Sequence, residues 1–122
     1  NLALGQALLL THGALATLLP IAEGLEVDAA RMRANLDGGG GLIMAEAVMM
    51  GLAPRLGRGL AHEVVHHACH VAMAEGIPLA QALAREERVA AQLDAAAIAA
   101  LTDPAGYLGA AASFTDAVLA RL

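Results

Sequence analysis

Apolar positions along this chain recur with helical spacing, and no stretch alternates between apolar and polar residues as a half-buried strand would. The pattern predicts helices over residues 2–23, 29–36, 42–52, 55–75, 79–88, 95–101 and 107–122. Asp28 and Asp94 stand where N-cap residues are expected, and Gly24 and Gly76 where helices commonly end. Pro54 is predicted to end the third helix, because the residue before a proline disfavours helical backbone angles. We therefore predict an all-α fold of six or seven helices.

The first predicted helix, residues 2–23, is apolar on most of its faces and has no N-cap ahead of it. Its most apolar run, residues 7–22, is shorter than the ~20 residues that a membrane span needs, and it contains His12, Gly13 and Pro20. A helix that is apolar all round is also typical of one buried in a bundle. We interpret it as a bundle helix, predict no membrane contact, and expect the chain to self-associate.

Composition restricts the possible functions. The chain is 58% hydrophobic but only 2% aromatic, so its core must consist of Ala, Leu, Val, Ile and Met. The net charge is −5 without a basic stripe, which argues against a nucleic-acid partner or an anionic membrane. There is no lysine, which excludes Schiff-base chemistry within these residues. The single cysteine, Cys69, favours a reducing, cytoplasmic location.

Four consecutive glycines follow Asp37, at positions 38–41. A phosphate-binding loop would need a preceding strand and a Gly-Lys-Ser/Thr ending, and both are missing. Each glycine costs a helix about 1 kcal/mol relative to alanine. The run therefore predicts a hinge between helices.

The fourth predicted helix contains the pattern H-E-x-x-H at positions 62–66, which is typical of zinc proteases. His62 and His66, one turn apart, could hold zinc while Glu63 acts as general base, and His70 continues the same face. A third ligand is harder to find. The metzincin continuation needs a glycine at position 69 and a histidine at position 72, where this chain has cysteine and alanine. Glu86 or Glu87 could serve instead, and the alternative is a solvated face rich in histidine.

Four other side chains could carry chemistry, each with a simpler explanation. Cys69 could be a thiolate nucleophile or a small packing residue. Glu46, inside an apolar run, could be a general acid, could belong to an exposed stripe, or could pair with an arginine such as Arg58. Arg31 and Arg33 could bind an anionic substrate, or form the polar face of a short helix. We favour the simpler explanation for each.

Five segments together resemble the C-terminal region of the fumarase/aspartase superfamily. They are VDAARMRANLD at 27–37, GLIMAEAVMM at 41–50, GR at 57–58, AHEVV at 61–65 and LTDPAGYLG at 101–109. Within the superfamily, the chain is most similar to the 3-carboxy-cis,cis-muconate cycloisomerase family and next to the adenylosuccinate lyases. The glycine run after Asp37 departs from the mixed residues that are usual there.

The resemblance implies a multi-helix C-terminal domain at residues 38–122, preceded at 1–37 by the end of a long central-bundle helix and a connector. It implies lactonisation of a small dicarboxylate or tricarboxylate in aromatic degradation, without a cofactor, by a full-length homotetramer. The family's catalytic serine lies in a Gly-Ser-Ser-x-Met-Pro loop, and neither this loop nor the family's catalytic histidine pattern occurs in these residues. We therefore assign no catalytic, cofactor-binding or metal-binding residue, and expect this chain alone to be inactive. The family pattern also has Ala-His-Glu here without a metal, so His62, Glu63 and His66 remain only a minor alternative as a zinc-hydrolase site.

Overall fold

The chain is all-helical in the computed structural model, which describes residues 2–122, and no strand occurs among those residues. This confirms the predicted fold class. The α-helices are α1 (Leu2–Glu23), α2 (Ala29–Asp37), α3 (Ala45–Leu56), α4 (Arg58–Glu75), α5 (Leu79–Arg85), α6 (Glu87–Ala90), α7 (Ala95–Thr102) and α8 (Ala111–Leu119). Short 3₁₀ segments, Leu42–Met44 and Pro104–Gly106, precede α3 and follow α7.

Contacts divide the chain into two compact units, Asn1–Arg31 and Met32–Leu122. The first unit consists mainly of α1, none of whose side chains is buried. By length and mean hydropathy α1 could also cross a bilayer. The core helix of a soluble protein meets the same two criteria. Asp28 accepts a hydrogen bond from the Arg31 amide at 2.8 Å, which confirms its predicted role as the N-cap of α2.

The hydrophobic core lies in the second unit, where α4 packs against α3 and α5, and α7 packs against α3 and α5. Leu52, Leu79, Leu83, Val48 and Val89 are its largest fully buried side chains. As the composition predicts, aliphatic side chains build this core.

Helix α4 shows why the sequence folds in this way. Its buried residues are Ala61, Val64, Val65, Ala68 and Ala72. Their spacing of three and four residues places them on one face of the helix. Because three of the five are alanines, neighbouring helices can approach this face closely, and the polar side chains of α4 are left on the opposite face.

The predicted end of α3 at Pro54 is wrong, because α3 continues to Leu56 with Pro54 inside its last turn. A proline there removes one intrahelical hydrogen bond. The extra turn nevertheless packs Leu56 against the core. Gly57 then ends the helix with φ 80° and ψ 154°, a conformation essentially restricted to glycine. Helix α4 accordingly begins at Arg58.

Two further boundaries differ from the predictions. The single helix predicted over 79–88 is divided at Glu86, which has extended backbone angles and a carboxylate that contacts His67 of α4. The last helix was predicted from residue 107 but begins at Ala111. Gly109, with φ 56°, lies in the left-handed region and separates α8 from the preceding 3₁₀ turn.

The glycine run forms a hydrogen-bonded turn at the position of the predicted hinge. Gly40 and Gly41 have φ of 61° and 83°, which only glycine adopts without strain. The Gly40 carbonyl accepts a hydrogen bond from the Leu79 amide at 2.8 Å. The turn is thereby joined to the first residue of α5.

Candidate functional site

The candidate chemistry concentrates on the exposed face of α4. His62, His66 and His70 share this face, as their spacing predicts, and all three are exposed. The rings of His62 and His66 are stacked, with centroids 5.9 Å apart and an interplanar angle of 16°. Those of His66 and His70 meet edge to face at 4.5 Å, and their Nε2 atoms are 3.3 Å apart. Two of the three imidazoles therefore interact directly through their ring nitrogens.

The remaining members of the zinc-protease pattern are engaged elsewhere. Glu63 accepts from Arg88 of α6 at 3.5 Å. Glu86, one of the two glutamates considered as a third ligand, contacts Nδ1 of His67 instead. Across residues 2–122, no group of three or more His, Cys, Asp or Glu side chains is arranged to hold a metal ion. The H-E-x-x-H pattern is thus present in sequence without the ligand set of a zinc protease around it.

A groove of about 610 Å³ lies between the exposed face of α4 and the segment from α5 to α6. We call it the α4 groove; it is lined by Glu63, Val64, His66, His67, His70, Arg85, Glu86, Glu87 and Arg88. Arg85 also donates to Glu75 at 2.5 Å, linking α5 to the end of α4. His67, Arg85 and Arg88 were not predicted from the sequence as site residues. The break at Glu86, which turns Arg85 and Arg88 toward α4, has no glycine or proline to signal it.

A second, smaller pocket of about 230 Å³ lies between α3 and α4, where Glu46, His62, His66 and Cys69 line its wall. Burial raises the pKa of the Cys69 thiol, which lowers its thiolate fraction at neutral pH. This favours the packing interpretation over the nucleophile. Glu46 is exposed, and no salt bridge joins it to Arg58 within the described residues.

The two arginines of α2 have different surroundings. Arg33 donates to Asp37 and to Asp103, each at 3.0 Å, and the Asp37 hydrogen bond is the main cause that raises the pKa of its guanidinium. The pKa of Asp103 is lowered, first by the Ala105 amide and then by Arg33. Arg31 lies in the first unit and is exposed. Arg33 therefore ties the end of α2 to the turn after α7, and it is not free to hold an anion.

No grouping among residues 2–122 places a hydroxyl or thiol within hydrogen-bond reach of a histidine or carboxylate that could activate it. A general base within such reach is one of the ways in which proteins activate a hydroxyl or thiol nucleophile. The geometry supports packing, polar contacts and histidine chemistry on α4, without an assembled nucleophile.

Comparison with protein families finds a match to the family described as Adenylosuccinate lyase C-terminus, over residues 41–118. The matched residues include α3 to α7, nearly all of α8, and both 3₁₀ segments. They cover the whole core and the α4 groove.

Individual proteins match along nearly the whole chain. A 3-carboxy-cis,cis-muconate cycloisomerase from Bradyrhizobium diazoefficiens is 49% identical over 98% of this chain and 26% of its own length. The enzyme of that name from Pseudomonas aeruginosa is 44% identical over 92% of this chain and 24% of its own. The solved β-carboxy-cis,cis-muconate cycloisomerase of Acinetobacter calcoaceticus superposes with a TM-score of 0.83 at 41% identity, over 93% of this chain and 26% of that one. The chain thus spans about a quarter of the length of the curated relatives it matches.

Proposed function

Because the chain belongs to the family of adenylosuccinate lyase C-terminal domains, we propose that it serves as the C-terminal helical domain of a 3-carboxy-cis,cis-muconate cycloisomerase. The observation that carries this proposal is the 49% identity to the Bradyrhizobium diazoefficiens enzyme along 98% of the chain. Identity of this order over 119 residues indicates that the two proteins share the same fold along the matched region.

The proposed reaction is intramolecular addition of a carboxylate to a conjugated double bond, which closes a lactone in aromatic degradation and needs no cofactor. The residues of this chain contribute helices and a polar surface to that enzyme, and the catalytic groups lie in the part of the protein that the relatives have in addition. We propose that the domain covers the end of a helical bundle and shapes the entrance to the active site. The match covers 26% of the length of the Bradyrhizobium diazoefficiens enzyme, so most of that enzyme lies outside the matched region.

We further propose that the chain is cytoplasmic and that it associates with other helices through α1. The single cysteine supports the location. The association is supported by the leucines of α1, among which Leu8, Leu15 and Leu19 are 60% to 64% exposed in a helix without buried residues. Apolar side chains in such numbers need a partner surface. In the full-length enzyme we expect that surface to belong to a helical bundle of a homotetramer.

The experiment that tests the proposal is a domain exchange. In the Bradyrhizobium diazoefficiens cycloisomerase, the matched C-terminal region is replaced by this chain, and lactonisation of 3-carboxy-cis,cis-muconate is followed by the loss of diene absorbance. We expect the chimera to retain turnover, because the aligned cores are closely similar. Two control proteins are the same enzyme with the region deleted and the same enzyme with the corresponding domain of an adenylosuccinate lyase.

A folded chimera that forms the native oligomer but does not turn over carboxymuconate would contradict the proposal. If this chain instead restores activity in an adenylosuccinate lyase that lacks its own C-terminal domain, the domain belongs to that enzyme. The family description makes this the second candidate. The isolated 122-residue chain is assayed alongside, and turnover by it alone would show that its own residues are catalytic.

A further inference from the structure

His66 and His70 form a close pair on the exposed face of α4, one helical turn apart. Their Nε2 atoms are 3.3 Å apart, within hydrogen-bond distance. Both rings are exposed, and among the described residues each ring's only hydrogen-bond partner is the other. The side of the pair that faces solvent is therefore accessible to a ligand.

The separation of the two nitrogens is that of two ligands on one metal ion. Zinc binds imidazole nitrogen at about 2.0–2.1 Å, usually with tetrahedral geometry, and two such ligands stand roughly 3.3–3.4 Å apart. The pair already has this spacing in a rigid helix, so both nitrogens could be engaged without backbone movement. The His62 ring is stacked on His66 with its centroid 5.9 Å away, and it makes no nitrogen-to-nitrogen contact of this kind within residues 2–122.

The surroundings also favour a cation with water ligands. The α4 groove presents three carboxylates, those of Glu63, Glu86 and Glu87, and two guanidinium groups, so its local charge is negative. Its volume of about 610 Å³ leaves space for water to complete the coordination of an ion. Glu63 and Glu86 are held by Arg88 and His67, and residues 2–122 form no group of three or more potential ligands, so we count two direct protein ligands.

We propose that His66 and His70 form a bidentate site for a divalent transition-metal ion, with Zn²⁺ as the reference ion and water in the remaining positions. The site is independent of the function proposed above. It also differs from the H-E-x-x-H pair, since it uses His70 in place of His62, and no reaction is assigned to the ion.

The test is a titration of the tag-free, metal-stripped 122-residue chain with ZnCl₂ by calorimetry, and with Co²⁺ by visible absorption. We expect one ion per chain, and a change in the visible absorption of Co²⁺ that saturates at the same ratio. His66→Ala and His70→Ala should each weaken binding by about tenfold or more, since even outer-shell changes cost ~10–100-fold in metal affinity. His62→Ala and His12→Ala are the matched controls and should leave binding unchanged. All four side chains are exposed, and alanine is the better helix former, so helicity should persist.

The possible results separate the sites. Loss of binding in His62→Ala with retention in His70→Ala would assign the ion to the H-E-x-x-H pair and overturn the proposal. Loss of binding in Cys69→Ala would assign the ion to the pocket between α3 and α4, and would also overturn the proposal. One ion per two chains, or no binding at all, also overturns it. As a measurement that needs no variant, zinc should shift the Nε2 resonances of His66 and His70 in the unmodified chain.

Discussion

At the scale of single residues, the sequence identifies the helix caps well, because a cap is a local property of a side chain and the amides two or three residues later. Asp28 and Asp94 are N-caps as predicted, and Asp94 accepts from the Ala97 amide at 2.8 Å. The contact between Arg33 and Asp103 could not be predicted in the same way. It joins residues that are distant in sequence, and only the packing of α7 brings the turn after it close to α2.

We predict that Asp94→Ala lowers the free energy of unfolding by about 1 kcal/mol, because α7 loses the acceptor for one of its unpaired amides. Urea denaturation followed by circular dichroism measures the change. Asp116→Ala is the control, since Asp116 lies within α8 and caps nothing, and it should change stability by less than half as much. Equal effects of the two substitutions would show that charge rather than capping is responsible.

We predict that the Asp103 carboxylate titrates below its ordinary pKa of 3.8 in the folded chain. Because its folded pKa is depressed, its contribution to stability is present above pH 3.8 and is lost as the pH falls through the folded value. Arg33→Gln should raise the pKa only part of the way back, since the Ala105 amide, the larger cause, remains. Carboxyl NMR titration measures both values, with Arg31→Gln as control. A complete return to 3.8 would mean that Arg33 alone is responsible.

At the scale of helices and turns, the spacing of apolar residues predicts where the helices are. It predicts a helix boundary wrongly where tertiary contacts determine that boundary. Pro54 has the local signature of a stop, and the helix passes it because Leu56 packs on the core. Glu86 has no such signature, yet the backbone breaks there where its carboxylate meets His67. This break also forms the α4 groove, which explains why the groove was not visible in the sequence.

Two glycines near the start of α4 should respond to alanine with opposite signs. Gly57 has φ 80° and ends α3, so Gly57→Ala should destabilise the chain by about 1–3 kcal/mol. Gly59 is inside α4, and apart from its chain neighbours and the nearby backbone of α4 no atom lies within 4 Å of the place that a methyl group would take, so Gly59→Ala should stabilise the chain by up to about 1 kcal/mol. Thermal and urea denaturation of the matched pair measure both. Effects of the same sign would contradict the assigned boundary between α3 and α4.

At the scale of the whole molecule, composition predicts the aliphatic core and the resemblance predicts the family, but neither reveals which surfaces have partners. The largest fully buried side chains lie in α3, α5 and α6, and α4 contributes small ones. The large apolar side chains of α1 and α8 are exposed. The candidate site shows the same difference. The histidine face of α4 was predicted from residue spacing, whereas Arg85 and Arg88 across the α4 groove were not predicted.

We predict that the chain self-associates at micromolar concentration, with a mass above its monomeric 12.3 kDa in sedimentation equilibrium. Leu8, Leu15 and Leu19 lie on one face of α1, and replacing all three by glutamine should lower the association. Leu108→Gln is the control, because that leucine is 63% exposed outside α1. A monomeric wild-type chain would contradict the prediction, as would binding to neutral lipid vesicles in place of self-association.

The hydrogen bond from the Leu79 amide to the Gly40 carbonyl makes the exchange of that amide proton a measure of local opening in the second unit. Leu79 is fully buried, so solvent deuterium reaches its amide only when the glycine turn and the first residue of α5 come apart. The exchange rate of this proton therefore reports how readily the contact between the glycine turn and α5 opens. If the amides inside α4 exchange more slowly, the contact opens alone; if they exchange at the same rate, it opens together with the core.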